Sequence, residues 1–464
     1  MESNENPMGY KPIPRLLLSL AVPAIIANLV NALYNVVDQI FIGQGIGFLG
    51  NAATNIAFPI TTIALAIGLL VGIGSASTFS LELGKGNPEK SRQAVGTATT
   101  TLLVSGLVIA AIILIFLKPL MIAFGATDEI LDYAMAYTGI TAFGLPFLFI
   151  STGTNPLVRA DGHSTYSMAA IMSGAILNMI LDYVFIFPLN MGIQGAAIAT
   201  VISQVTSAAI LIAYLPRFQF VKLKIKDFIP NLQILLRILA LGFSVFIFQI
   251  SNVIIQIVSN NMYNIFGAAS IYGSNIPIAV SGIVLKLNVI FTTVIIGLVQ
   301  GGQPIMGYCY GAQKYKRVKD TYKLILKWAV IISIAFWIIF QGFPAQIMQI
   351  FGNESQLYMD FAVQFMHIFM FFVFINGAQI TASTFFQSIG MAKKGAFLSL
   401  TKQIIYLLPL ILILPQFFGL FGIVYATPLA DLLSFITAMA LVYRELKRIP
   451  NEDMELTKIP IEDA

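Results

Sequence analysis

Cysteine is nearly missing from this chain. The single Cys309 excludes an internal disulfide and any Cys-rich metal centre. Two histidines, His163 and His367, leave little for a zinc site. Charge is also scarce: 10% of the 464 residues are Asp, Glu, Lys or Arg, against roughly 25% in an ordinary soluble domain. So few charges cannot cover a wet surface, and the exterior must face hydrocarbon. There is no P-loop, because Gly84-Lys85 lacks both the upstream glycine spacing and a following Ser or Thr. Direct drive by nucleotide hydrolysis is therefore not expected. No nucleophile–base pair or metal cluster stands out among the apolar runs, so the chain does not read as an enzyme. No cofactor is expected either. No short cleavable leader is expected, since the first apolar run extends from Pro14 to about Ile42, too long for a signal core.

What remains is 58% apolar, arranged in long runs. A bilayer core takes about 20 apolar residues as a helix. Twelve such runs are expected near 15–41, 52–80, 94–117, 131–155, 166–187, 193–215, 234–261, 272–306, 322–342, 358–384, 396–415 and 419–443. The net charge of +5 does not point to nucleic acid, because the basic residues cluster between the runs. Alternate connecting segments hold 24 of the 26 Lys and Arg residues, counting Lys393, Lys394 and Lys402 together as one loop cluster. Only Lys118 falls on the other side and only Lys286 inside a run. That bias predicts a multi-pass protein of the plasma membrane with both termini cytoplasmic. The acidic end from Asn451 reads as a tail.

The two halves repeat at a shift of 227–228 residues. Gly74 maps onto Gly301, Gly84 onto Gly311, Gly162 onto Gly390, Pro188 onto Pro415 and Gly192 onto Gly419. Each half holds six runs, an even number, so both begin on the same side and the repeats are parallel. The expected fold is therefore an all-α membrane protein. Its twelve transmembrane helices form two six-helix bundles related by a pseudo-two-fold along the membrane normal. The divisions are a segment 1–13, a first bundle 14–216, a linker 217–233, a second bundle 234–445 and a tail 446–464. One chain supplies both bundles, so a functional monomer is expected.

Polar groups inside spans are costly, and the ionisable ones are functional candidates. In the first span Asn28, Asn31, Asn35 and Asp38 share one helical face, with Tyr34 beside them. Asn178 and Asp182 stand one turn apart in the fifth span, and Thr200, Gln204 and Ser207 form a stripe in the sixth. Two carboxylates framed by amides and a hydroxyl offer hard oxygen ligands to Na⁺, or a site for a shared proton. Simple inter-helix hydrogen bonding is the competing account for Asn28 or Ser207. The second half repeats the first stripe as Gln249, Asn252, Gln256 and Ser259, without an acid. Ion coupling is accordingly expected in the first half, with the second shaping the cavity. Asn155 and Gln256 are further cavity candidates. Lys286 is expected to line the cavity or pair with an acid, and Asp431 to be its partner or a second proton site. Abundant Met and Phe suit an adaptable binding cavity.

Several stretches together resemble the multidrug and toxic compound extrusion (MATE) family. They are Pro23 through Val36-Val37-Asp38-Gln39-Ile40-Phe41-Ile42-Gly43, the segment Gly72–Gly86 before Asn87, and Arg159-Ala160-Asp161-Gly162. Asn178-Met179-Ile180-Leu181-Asp182 and Gly297-Leu298-Val299-Gln300-Gly301-Gly302-Gln303-Pro304 complete the set. The resemblance covers about residues 10–445. It implies a V-shaped exporter with a central cleft, exchanging H⁺ or Na⁺ for bulky amphiphilic, often cationic, small molecules by alternating access. It also implies that Asp38, Asn178, Asp182 and Thr200 form the cation site and that the first helix can bend at Pro23. The second acidic site of one family branch is not carried over, since Gln249, Gln256, Asn376 and Gln379 stand in those regions. A flippase for lipid-linked saccharides is the alternative; an intramembrane enzyme or a channel fits less well.

Overall fold

The computed structural model describes residues 6–351 and 355–453, and these are helical almost throughout, with no strand among them. The first half runs α1 (Ile13–Gly45), α2 (Phe48–Gly84), α3 (Pro88–Ile115), a short α4 (Leu117–Ala123), α5 (Asp128–Ala160), α6 (Ser164–Ile186) and α7 (Gly192–Tyr214). The second half begins with α8 (Leu232–Ala268), α9 (Asn275–Gly311), α10 (Tyr315–Gly342) and a short α11 (Pro344–Phe351). It continues through α12 (Gln356–Phe369), α13 (Val373–Ser388), α14 (Ala392–Leu400), α15 (Leu408–Phe418) and α16 (Leu420–Arg448). A π-helical turn, Thr401–Leu407, joins α14 to α15. Among the described residues, eleven helical segments are long and apolar enough to cross a bilayer. Helices α12 and α13, bent by 44° at a short break, together make a twelfth. The expected tail lies outside the described residues from 454 onward. Before that point, Asp453 accepts the Lys316 backbone N–H at 2.8 Å.

The repeat is visible in the backbone. Short helices α4 and α11 follow the third span of each half. Gly162 and Gly390 take φ of 90° and 83° at matching turns, and Gly192 and Gly419 take 57° and 59°. Those are left-handed values that any side chain would strain.

The halves meet along a seam of glycines on the side of the basic loops. A Cβ on Gly74 would lie 2.0 Å from the Ile238 carbonyl oxygen, and one on Gly242 would lie 1.7 Å from that of Leu70. So α2 and α8 touch backbone to backbone. The second half returns the contact: a Cβ on Gly301 would lie 2.5 Å from Ala21 Cα. At the end of the seam Gly84 faces the Tyr308 carbonyl and Gly311 that of Leu81, at 2.1 and 2.2 Å from the missing Cβ. Small residues allow such approach, and in a bilayer close packing of this kind holds helices together. Helices α1 and α8 also cross between bundles. Leu17, Leu20 and Ala21 join the apolar core of the second half, and Ile234 and Ile238 that of the first. Gln303 Nε2 donates to Ser77 Oγ at 2.8 Å, Asn28 Nδ2 donates to Gln300 Oε1 at 3.1 Å, and Arg237 pairs with the buried Glu82.

The connection between the halves is tied to the first one. Asp161 accepts the backbone N–H groups of Gln219 and Phe220 at 2.8 and 3.2 Å, and the Tyr214 hydroxyl at 2.7 Å. Thr100 Oγ1 donates to the Phe228 carbonyl at 2.7 Å. Asn231 then caps α8 by accepting from the N–H groups of Gln233 and Ile234. Outside, Leu103, Leu107, Ile112, Ile331 and Ile338 are exposed, as a lipid-facing surface requires.

Candidate functional site

Three helices of the first half bring their polar stripes to one place. Helix α1 supplies Asp38, α6 supplies Asn178 and Asp182, and α7 supplies Thr200 and Gln204. Asp38, Asn178 and Asp182 are 9%, 2% and 0% exposed. The carboxyl groups of Asp38 and Asp182 are neighbours, near enough for one proton to sit between them. Tyr137 of α5 stands near the Thr200 hydroxyl and, like Tyr34, beside both acids. Spacing along α1, α6 and α7 foreshadows this cluster; α5 offers the milder signal of Tyr137 and Thr141 one turn apart, and Tyr137 is an addition to the expected residues.

The cluster holds many unpartnered atoms. Asp38 Oδ1, both amide atoms of Asn178, both oxygens of Asp182 and Gln204 Oε1 are buried without a hydrogen-bond partner in the protein. Each such atom costs about 1–3 kcal/mol when left alone. Gathered together they describe a receptor rather than a structural knot. Carboxylate, amide and hydroxyl oxygens are the donor set that a hard monovalent cation takes, and the carboxyl pair also suits a proton. Among the described residues no group of three or more His, Cys, Asp or Glu could hold a metal.

This cluster borders a cavity of about 560 Å³ between the two halves, a size that suits a drug-like molecule. Asn31, Tyr34, Asn35, Asp38 and Tyr137 line one wall. Ser244, Phe248, Gln249, Gln379 and Lys402 line the other, and Leu65, Leu69, Ile296 and Val299 lie between. Asn155 also lines it, donating to the Ser167 carbonyl at 3.1 Å and accepting from the buried Arg159 guanidinium. Asn178, Thr200 and Gln204 reach the same space. Pro23 lies within α1, which runs through it as one helix.

Four expectations change. Gln249, not Gln256, lines the cavity; Gln256 is exposed about two turns further along α8. Lys286 is exposed in a second, more open recess with Asn35, Gln39, Gly43 and Asn51, toward the start of α9. Among the described residues no acid pairs with it, although Thr293 and Gln300 of its helix do line the cavity. Asp431 does not meet Lys286: its Oδ1 lies 2.7 Å from Lys402 Nζ, and its Oδ2 accepts from Asn376 Nδ2 at 2.9 Å. Lys402 is therefore not a loop residue. It sits on the π turn inside a span, and adjacency to the Lys393-Lys394 loop hides this in the sequence.

Comparison with known proteins gives a consistent picture. The MatE family profile matches residues 23–184 and 249–413, once in each half. The multidrug export protein MepA of Staphylococcus saprophyticus is 26% identical over 445 residues, covering 95% of this chain and 96% of that protein. MepA of Staphylococcus haemolyticus is 27% identical over 451 residues, covering 96% of each. The solved structure of the MATE multidrug transporter DinF-BH matches with a TM-score of 0.87 at 37% identity, over 96% of this chain and 98% of that one.

Proposed function

This chain belongs to the MatE family, and on that premise we propose that it exports bulky amphiphilic, often cationic, compounds in exchange for H⁺ or Na⁺. The observation that carries the proposal is the buried pair Asp38–Asp182 with the unpartnered Asn178 between cavity and core. Two buried carboxylates side by side are stable only when a proton or cation lies with them. Loading and emptying that site therefore changes what packing around α1, α6 and α7 can tolerate. The positive-inside bias makes the basic side cytoplasmic. The glycine seam closes that side, so this conformation presents its cavity to the exterior. Coupling follows if ion uptake from outside releases the compound and permits the halves to close there, α1 bending at Pro23. The relatives' names, multidrug export and multidrug transporter, support the substrate class.

The test is transport of a fluorescent lipophilic cation in proteoliposomes under an imposed pH gradient and, separately, a Na⁺ gradient. One gradient should drive transport, and Asp38→Asn and Asp182→Asn should each abolish it while leaving insertion intact. Efflux at the unmodified rate in either variant would remove that residue from the mechanism. Folded protein that responds to neither gradient would instead favour a lipid-linked substrate and a flippase.

A further inference from the structure

The second half carries a charged cluster that ion coupling leaves unused. Pro409 has no N–H to offer the Ile405 carbonyl, and the helix widens into the π turn Thr401–Leu407 just before it. Lys402 projects from that turn. Its Nζ lies 2.7 Å from Asp431 Oδ1 and donates to Asn376 Oδ1 at 3.3 Å. Asn376 closes the triangle by donating to Asp431 Oδ2. Asp431 is buried behind, 1% exposed, whereas Lys402 lines the central cavity. An ammonium has three N–H donors. One is donated to Asn376, and the ammonium stays ion-paired with Asp431 behind it, which leaves N–H capacity for the occupant of the cavity. The surrounding wall is polar but uncharged: Gln379, Ser383, Ser399 and Ser244. At the repeat shift of 227, Ala175 and Gln204 stand in place of Lys402 and Asp431, so the first half has no such device.

Charge decides which group the free donor takes. A cation is repelled by the ammonium. A carboxylate would have to share that ammonium with Asp431, placing two like charges a few ångströms apart in a poorly solvated wall. A neutral carbonyl oxygen takes the donor and leaves the ion pair intact. We propose that Lys402 is the subsite for a neutral carbonyl oxygen (ester, amide or ketone) of the exported compound, whose cationic end lies toward Asp38 on the opposite wall. The proposal rests on the cavity being the drug site.

The test is equilibrium binding to the purified full-length protein, read by fluorescence polarisation. The probes are a cationic rhodamine ethyl ester and the free acid obtained from it by hydrolysis. The unmodified protein should bind the ester about tenfold more tightly than the acid, the worth of one charge-assisted hydrogen bond. In Lys402→Met/Asp431→Asn, which removes both charges together, ester affinity should fall about tenfold and the preference should vanish. Lys402→Arg should retain the preference. Equal affinities for the two probes in the unmodified protein, a comparison that needs no variant, overturn the subsite. So does unchanged ester binding in a double variant that melts like the parent. If neither probe binds the unmodified protein, the cavity reading itself fails and the subsite falls with it.

Discussion

Gly242→Ala is the sharpest probe of how the halves close. The added methyl would start 1.7 Å from the Leu70 carbonyl oxygen and 2.6 Å from its carbon. Ordinary contact begins near 3.4 Å, so α8 must retreat from α2 by about 1.7 Å. Nothing flexible can absorb that retreat, since both partners are backbone. The movement also pulls Gly74 away from Ile238, loosening the adjoining contact. Overpacking of this kind costs about 1–3 kcal/mol. Under the proposed alternating access the seam parts when the basic side opens, so the cost falls on the closed state and lowers its population roughly 5- to 150-fold relative to the open one. Spin labels at Lys90→Cys and Lys393→Cys, exposed positions on the two halves, would report it in a Cys309→Ser background. The distance distribution should shift to longer values, and gradient-driven efflux should fall while membrane insertion persists. Gly282→Ala is the control, because its methyl would meet nothing within 4 Å. An unchanged distance distribution in Gly242→Ala, with normal efflux, would refute the role assigned to the seam.

Three further outcomes follow from named contacts. Arg237→Gln leaves the buried Glu82 with Lys85 and Asn87 alone; because the guanidinium is partly exposed, the same spin-label pair should shift only modestly, by about 1 kcal/mol of population. Thr200→Val removes the hydroxyl beside Tyr137, and should raise the ion concentration for half-maximal transport about tenfold. Asp161 lies in a turn outside the spans, where burial holds its carboxyl above the usual range against three hydrogen bonds that favour ionisation. An acid raised in this way disfavours the folded state once ionised, so its contribution improves as pH falls through the raised value toward the unfolded value of about 4. Melting curves should therefore show the unmodified protein gaining on Asp161→Asn as pH drops; a difference independent of pH would contradict this.

The helix plan was legible because bilayer insertion writes it in one dimension, through run length and loop charge. The polar stripes on α1, α6 and α7 were equally legible, since helical spacing alone puts Asn178 beside Asp182. What the sequence concealed depends on contacts between helices. Tyr137 shares a face with Thr141, but that weak stripe holds no acid or amide, and only packing of α5 against α7 brings it near Thr200. The repeat marked Gly74 with Gly301 and Gly84 with Gly311, but not that the second pair touches across the molecule. Lys402 was hidden by a different cause. Charge counting assigns a lysine near Lys393-Lys394 to the loop, and nothing local reveals that Asp431, a whole helix later, neutralises it.

That hidden ion pair bears on why two copies of one bundle perform different tasks. Both halves bury a carboxylate beside the central cavity, and each must offset its cost. The first half leaves Asp38 and Asp182 without a protein cation among the described residues, so the charge must be met from solution and its occupancy can follow an ion gradient. The second half meets Asp431 with a covalently attached ammonium, whose local concentration no gradient alters. Pro409 occupies the repeat position of Asp182 and shapes the turn that carries Lys402. A proline on one side thus answers a proposed coupling residue on the other. Exchanging these roles by Lys402→Met would leave Asp431 unpaired. Such a variant should acquire a second proton- or Na⁺-dependent step in its transport curve, steepening the ion dependence, whereas an unaltered slope would mean that Asp431 is satisfied without the lysine.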